Sequence, residues 1–342
     1  MLSEPSPSES LSEIIRSLFV SSKFRGFTRG VTVELPTGQQ IALKIESIQR
    51  LPDGLAFRFL KNVYVTTMSS GEYTELGYGE ADFPLIAIQK SISEAVERVL
   101  YRVLKGSSHG TQNTSGWAAH LNRELAKKAA LQELLERDAV LAHWLCEIPF
   151  QEIRLDTCPA WIQSWAQRTL TGSPYPELRI LVSHCGYIPT LSAALVAPTG
   201  AGVISHAASQ TLEGALSKAL SETCALARNA AAGKIAGAAL RPAAYGYQPK
   251  LPDWIFGQKF GWGRAVRSWK GRARSFSKDC VRSEFHEIVS APISVGYCTS
   301  PDVQNLFFGR TQDAIKSGFI NLKRLNNLSR DGESKAYPHF VA

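Results

Sequence analysis

Two stretches of this chain repeat one acidic pattern, Glu94-x-x-Glu97-Arg98 and Glu133-x-x-Glu136-Arg137. Residues at i and i+3 share a face of a helix, so each pair of carboxylates lies within mutual reach. One chemistry for such a set is mundane: surface glutamates salt-bridged to neighbouring arginines, each contributing little. The other is a cation site. Carboxylates gathered on adjacent helices repel strongly unless cations sit between them, and hard oxygen ligands with open positions for phosphate suit Mg²⁺. Such a site would hold a nucleoside triphosphate without a glycine-rich loop. Consistent with that, the chain has no Gly-x-x-x-x-Gly-Lys-Ser/Thr motif, and no His-Glu-x-x-His zinc helix.

The elements that must position these carboxylates read as helices over 84–104 and 122–145, with a third over 212–232. All three share a stripe of small residues ending in a glutamate: Ala87-x-x-x-Ser91-x-x-Glu94, Ala126-x-x-x-Ala130-x-x-Glu133 and Ala215-x-x-x-Ala219-x-x-Glu222. The stripe is expected to let helix approach helix and bring the carboxylates together. Ahead of them, residues 31–70 read as a β-meander with strands at 31–35, 41–48, 55–60 and 63–67. Turn signals at Pro36-Thr37-Gly38 and Pro52-Asp53-Gly54 separate these strands. A Gly/Ser/Thr/Asn-rich loop spans 106–115, strands are expected at 178–183, 190–197, 285–289 and 293–299, and 245–278 reads as loop-rich. Strands interleaved with helices indicate an α/β or α+β protein. Its parts are a disordered start and meander over 1–71 and a larger domain over 72–342.

At 342 residues, 44% hydrophobic and 20% charged, the composition is that of a globular protein. The net charge of +8 points to an anionic partner without choosing among nucleotide, acidic peptide, nucleic acid and membrane. None of the six cysteines forms a Cys-x-x-Cys pair. The acidic, Ser/Pro-rich N-terminus is unlike a signal peptide, and no apolar run approaches bilayer length. A cytoplasmic chain with reduced thiols and no membrane anchor is expected. His184-Cys185 and His206 sit in apolar strand or loop contexts without a fourth ligand and read as core or loop residues.

The residues around the second acidic pair point to a family. Thr114-Ser115-Gly116-Trp117-Ala118-Ala119-His120, followed by the helix through Glu133-Leu134-Leu135-Glu136-Arg137-Asp138-Ala139, resembles the YcaO superfamily. In that family a Ser/Asn-Gly-x-Ala-Ala-Gly loop precedes a helix bearing Glu-x-x-Glu-Arg-Asp-Ala. Glu94-Ala95-Val96-Glu97-Arg98 looks like the family's first acidic helix, and the helix with Glu222 and Arg228 like its later Ala-Leu-x-Glu helix. Ser300-Pro301-Asp302, Phe308-Gly309 and Arg324-Leu325 resemble the segment before the family's proline-rich tail, so the likeness spans about 72–342.

The resemblance implies an α+β, YcaO-type fold with mixed sheets, in which packed acidic helices hold ATP and Mg²⁺ between them. Glu94, Glu97, Glu133 and Glu136 would be the metal ligands, with Arg98 and Arg137 orienting them. Lys90, Ser91, Glu222, Arg228 and the backbone at Thr114, Ser115 and Gly116 would contact the nucleotide, the last three at a helix approach suited to phosphate. Arg324 would touch phosphate. His339 reads either as a proton shuttle or as a solvated terminal histidine. The implied activity is that of the azoline-forming cyclodehydratases: a Cys, Ser or Thr of a ribosomally made precursor peptide attacks the preceding amide, ATP phosphorylates the oxyanion, and phosphate leaves. Thioamide- or amidine-forming chemistry and a non-catalytic scaffold subunit fit the same residues. The implied partners are the precursor peptide, a separate adenylating-enzyme-like protein that recognises its leader, and a flavin-dependent azoline dehydrogenase. This sequence departs from the family pattern at Gly77-Tyr78-Gly79 (often Gly-Lys-Gly), at Lys90, at His120 and in the tail Tyr337-Pro338-His339-Phe340-Val341-Ala342. The basic run 259–278, with Arg264, Arg267, Lys270, Arg272 and Arg274 among Phe260, Trp262 and Trp269, reads as a surface for an acidic partner or leader peptide, or as solvated, ahead of nucleic acid.

Overall fold

The computed structural model describes residues 31–34, 40–50, 62–81, 83–105, 116–120, 122–231, 247–248, 251, 253–272, 281–288, 294–301 and 303. The start at 1–10, the strand expected at 55–60 and the loop at 106–115 lie outside these residues. Two compact units divide the chain: 1–53, 60–131 and 282–299 form one, and 54–59, 132–281 and 300–342 the other.

The first unit is built on alternation. Strand β2 (Gln40–Arg50) turns Ile41 and Leu43 inward and Gln40, Ala42 and Lys44 outward, the period-two pattern of a sheet with one solvated face. It lies between β1 (Val31–Glu34) and β3 (Asn62–Ser70); β3 turns through Gly71-Glu72 into β4 (Tyr73–Ala81). Gly71 takes a positive φ of 58°, as the first residue of a two-residue hairpin turn often must. The boundary expected between 71 and 72 falls within this turn. Strands β5 (Trp117–His120), β12 (Arg282–Ile288) and β13 (Ser294–Thr299) complete a seven-stranded antiparallel sheet in the order β4-β3-β2-β1-β12-β13-β5. Helix α1 (Pro84–Lys105) covers it, burying Ile88, Ile92, Val96, Val99 and Leu100 against Ile41, Leu43, Tyr64 and Met68. Full burial of each such side chain contributes roughly 1.5–3 kcal/mol.

The second unit holds a six-stranded sheet of order β10-β9-β8-β7-β6-β11. Its strands are β6 (Phe150–Ile153), β7 (Glu177–Val182), β8 (Thr190–Val196), β9 (Gly202–Ala208), β10 (Tyr247–Gln248) and β11 (Phe256–Phe260). Only the β6–β11 pairing is parallel, so the expected mixed sheet and α+β class are both present. Every residue of β8 and β9 is buried, and their polar side chains are accordingly paired. Ser192 Oγ lies 2.6 Å from His206 Nδ1, and Ser205 Oγ lies 2.7 Å from Thr223 Oγ1 of α4 (Leu212–Ala231). His206 is thus the core residue the sequence suggested. Helix α2 (Arg123–Leu145) begins in the first unit and ends in the second. Helices α3 (Ala160–Leu170) and α5 (Trp262–Arg272) complete the second unit.

Two readings need correction. The run expected as loop over 245–278 contains β11 and α5: Gly257 lets β11 pass where a Cβ would strike the Phe150 carbonyl, and Ala265 is buried with Trp262 and Trp269 half-buried around it. The Trp-Ala-Ala-His run expected as loop is strand β5, paired with β13 from Tyr297↔Trp117 to Ser294↔His120.

Candidate functional site

Within each unit the small-residue stripes, expected to let helix approach helix, seat helices on sheets. A Cβ on Gly79 would collide with the Ala87 carbonyl and the Ser91 amide, and one on Gly77 with the Ser91 carbonyl and the Ala95 amide. The Gly-Tyr-Gly run is therefore a close crossing between β4 and α1, which explains both its glycines and the stripe opposite them. In α2 the stripe meets β13, where a Cβ on Gly296 would sit 3.1 Å from the Ala126 carbonyl carbon. In α4 the Ala219 carbonyl accepts a 2.7 Å hydrogen bond from Ser205 of β9.

This packing decides what the α1 residues can do. Ser91 is fully buried, its hydroxyl 2.7 Å from Thr66 Oγ1 and 2.8 Å from the Ile88 carbonyl it donates to. It serves the core, instead of standing beside a nucleotide as expected. Three other polar residues of α1 reach the outer edge of β4, the last strand of its sheet. Glu94 Oε2 accepts the Tyr78 N–H at 2.6 Å, Arg98 Nη1 donates to the Leu76 carbonyl at 2.9 Å, and Lys90 Nζ donates to the Glu80 carbonyl at 3.0 Å. An edge strand's outward N–H and C=O groups invite further pairing, and here helix side chains occupy them. Glu94 Oε1 also pairs with Arg98 at 2.5 Å. Burial opposes the Arg98 charge, but Glu94, Glu97 and Glu75 outweigh it and hold its pKa above the ordinary arginine value.

The second motif sits in a drier setting. Glu136 Oε2 accepts the Ala208 N–H at 2.8 Å, while Gln132, one turn earlier, donates to the Ala208 carbonyl. Together they grip the end of β9. Burial pushes the Glu136 carboxyl up to about 6, against the opposing pull of Arg137, the Ala208 N–H and Lys218. Arg137 is 13% exposed and lies 3.5 Å from Glu133 Oε1 through Nη2; its Nε and Nη1 are buried with no hydrogen-bond partner among the described residues. Further along the same face, Gly186 lies against Ala139. His143 Nδ1 donates to the Ile148 carbonyl at 2.7 Å and His143 Nε2 lies 3.0 Å from Ser183 Oγ. Gln132, Glu136, Ala139 and His143 thus form one stripe along the strand ends. Their spacing of i, i+4, i+7 and i+11 was visible in the sequence, but polar residues among apolar ones hid it.

The remaining candidates divide simply. Gly116 adopts a positive φ of 76° and its carbonyl accepts the Cys298 N–H at 2.8 Å. Glu97 is partly buried on α1, and Glu222 is exposed on α4. Thr114, Ser115, Arg324, His339 and the Arg228 side chain lie outside the described residues. Glu94 and Glu97 belong to the first unit, Glu133 and Glu136 to the second.

Residues 95–258 match the family model described as YcaO cyclodehydratase, ATP- and Mg²⁺-binding. That stretch, just under half of the chain, is similar to the YcaO family. ATP and Mg²⁺ are the cofactors of that family. Its fold agrees with solved YcaO structures. YcaO from Methanopyrus kandleri, bound with AMPPCP and Mg²⁺, is 12% identical with a TM-score of 0.54 over 75% of this chain and 85% of its own. A heterocyclase in complex with substrate and cofactor is 12% identical with a TM-score of 0.55 over 81% of this chain; the match spans 52% of that protein's length. No curated protein matches the sequence. Among the described residues of this chain, no helix is long and apolar enough to cross a membrane.

The residues present in the second unit fit the family's cofactors. A cation beside Glu136 would offset the burial that raises its carboxyl, and an anionic oxygen is the acceptor that Arg137 Nε and Nη1 lack. Among the described residues no three His, Cys, Asp or Glu side chains gather as a metal site within either unit. Mg²⁺ commonly takes one or two carboxylates and completes its shell with phosphate and water, so a single glutamate pair is sufficient protein.

Proposed function

We propose that this chain uses ATP and Mg²⁺ to activate backbone amides of a ribosomally made precursor peptide, closing Cys, Ser or Thr side chains into thiazolines or oxazolines. The observation that carries the reading is the Glu136/Arg137 pair: a buried carboxyl raised to about 6 beside two guanidinium nitrogens that find no acceptor among the described residues. Glu133 and Glu136 would hold Mg²⁺, and Arg137 would take a phosphate oxygen. Glu97 would add a carboxylate from α1, with the backbone at Thr114, Ser115 and Gly116, Glu222, Arg228 and Arg324 on the nucleotide and His339 moving a proton. When bound, Mg²⁺·ATP supplies a phosphoryl group to the amide oxygen and turns it into a leaving group. The chain's own residues position and neutralise charge, and no protein nucleophile is needed. The peptide substrate is read from the family, as are a leader-recognition protein of the adenylating-enzyme type and a flavin-dependent dehydrogenase as partners.

A non-catalytic scaffold is the second reading. The observation favouring it is on α1, where Ser91 is enclosed in the core and Glu94 is engaged with Tyr78 and Arg98. Calorimetric titration with Mg²⁺·ATP separates the two. Saturable binding by the wild type that Glu133→Gln with Glu136→Gln removes supports the enzyme; no binding, even with a co-encoded partner present, favours the scaffold. Product mass then identifies the nucleophile, since ring closure removes water and thioamide formation exchanges oxygen for sulfur.

A further inference from the structure

The second unit carries a surface that the nucleotide site does not use. Strand β11 is the outer strand of its sheet: β6 pairs with one edge, and no strand among the described residues pairs with the other. Its exposed residues are Gln258 and Lys259, and it leads through Gly261 directly into α5. Residues 256–272 contain Lys259, Arg264, Arg267, Lys270 and Arg272 and no Asp or Glu.

The two described arginines of α5 differ from their counterparts elsewhere. Arg98, Arg102, Arg137, Arg154 and Arg179 each pair with a carboxylate, whereas Arg264 and Arg267 are exposed and make no ion pair among the described residues. Arg264 leans back to the end of β11, and Arg267 to the first turn of α5. The Arg264 guanidinium lies 5.9 Å from the centre of the Phe260 ring. That of Arg267 lies over Gly263, where a Cβ would be 3.5 Å from Nη1. Lys259 contacts Glu152 at 3.3 Å but is 58% exposed. The cations therefore begin where the unpaired edge ends. Five strand residues and eleven helix residues each extend about 16 Å, so the two features run to similar lengths.

We propose that the outer edge of β11 and the arginine face of α5 form one docking strip for an acidic peptide segment in extended conformation. The edge supplies alternating N–H and C=O groups at peptide spacing, which a nucleic acid cannot pair. The charge selects the occupant: an exposed lysine on an edge strand deters neutral and basic strands and admits an acidic one. Taken with the peptide-substrate reading, on which the partner's identity rests, the strip is a recognition site for an acidic segment of the substrate.

Fluorescence anisotropy of the full chain with a short fluorescein-labelled peptide of alternating Glu and Val tests this. Saturable binding is expected, weakened about tenfold or more by Arg264→Glu with Arg267→Glu, two exposed changes whose folding is checked by Tm. The same peptide N-methylated at alternate residues keeps its charge but cannot pair with an edge, and is expected to lose most of its affinity. Equal binding of the methylated peptide, unchanged binding by the double variant, or equal or tighter binding of an oligothymidine strand overturns the proposal. Mg²⁺·ATP titrated into the same samples keeps the two readings apart. Nucleotide binding without peptide binding overturns the strip alone, and peptide binding without nucleotide binding removes the enzyme reading and leaves the strip.

Discussion

The two Glu-x-x-Glu-Arg motifs share spacing and arginine but do different work. On α1 the first glutamate grips a strand amide: Glu94 takes the Tyr78 N–H of an exposed edge. On α2 the second does so, Glu136 taking the Ala208 N–H where β9 ends. Arg98 is engaged by Glu94 and the Leu76 carbonyl, whereas Arg137 keeps two buried nitrogens without acceptors among the described residues. The difference teaches that a repeated acidic motif can spend its groups on an edge strand in one copy and keep buried donors unspent in the other. What decides is the neighbour: an edge strand whose backbone needs closing consumes the α1 groups, and a dry strand end leaves the α2 groups incompletely paired.

The largest effect expected from this contrast is on nucleotide binding. Glu133→Gln with Glu136→Gln should cost about 3–5 kcal/mol of Mg²⁺·ATP affinity by calorimetry, the scale of removing one side of a buried charge pairing, while Glu94→Gln costs far less. Equal losses would erase the distinction between the motifs. Next is Gly79→Ala, whose new methyl would meet the α1 backbone at Ala87 and Ser91. Overpacking costs about 1–3 kcal/mol where side chains can shift, and with backbone opposite, the upper end or more is expected as a lowered Tm. A neutral result would show that α1 can lift from β4.

The same contrast explains which parts were legible in the sequence. Helices α1, α2 and α4 were readable to within about two residues because long apolar periodicity and small-residue stripes mark them. Strands β7, β8, β12 and β13 were readable from β-branched alternation. Strand β4 was not, since Gly77 and Gly79 look like a loop until a helix is laid against them. Neither was β9, whose Ser205 and His206 are polar yet buried because α4 and β8 supply partners. The glutamates were legible as candidates. Their roles were not, because role depends on which backbone amide lies opposite, and spacing along one helix carries no information about that. Ser91 shows the same limit: a hydroxyl in a motif is indistinguishable from one that pairs with Thr66 in a core.

A smaller effect concerns pH. The Glu136 carboxyl, ordinarily near 4.5, is raised to about 6 in the folded protein, so the folded state binds its proton more tightly than the unfolded state. Its charged form is therefore a destabilising element, fully present above pH 6 and relieved as pH falls through 6 towards 4.5. The nucleotide-free protein should gain at most about 2 kcal/mol from this group across that window. Glu136→Gln, which keeps an acceptor for the Ala208 N–H, should lose that pH dependence relative to wild type in parallel denaturant titrations. Identical pH slopes in the two proteins would place the burial elsewhere.

The smallest effect tests the α1 half directly. Removing Glu94 as Glu94→Ala should cost about 1 kcal/mol, the net worth of a partly exposed charge-assisted hydrogen bond. Arg102→Ala, which loses a pair to Glu75 at an exposed position, should cost only a few tenths. Global stability is a blunt reporter at this scale, so the Tyr78 amide is the better one. Hydrogen exchange at Tyr78 should quicken in Glu94→Ala, change little in Glu94→Gln, and stay as in wild type in Glu97→Gln, because only position 94 supplies its acceptor. If saturating Mg²⁺·ATP also quickens Tyr78 exchange in the wild type, Glu94 gives up that amide in the loaded protein and is no fixed strand clamp. If exchange is unchanged while binding is complete, Glu94 remains a strand clamp in the loaded protein and the two motifs stay divided between structure and chemistry.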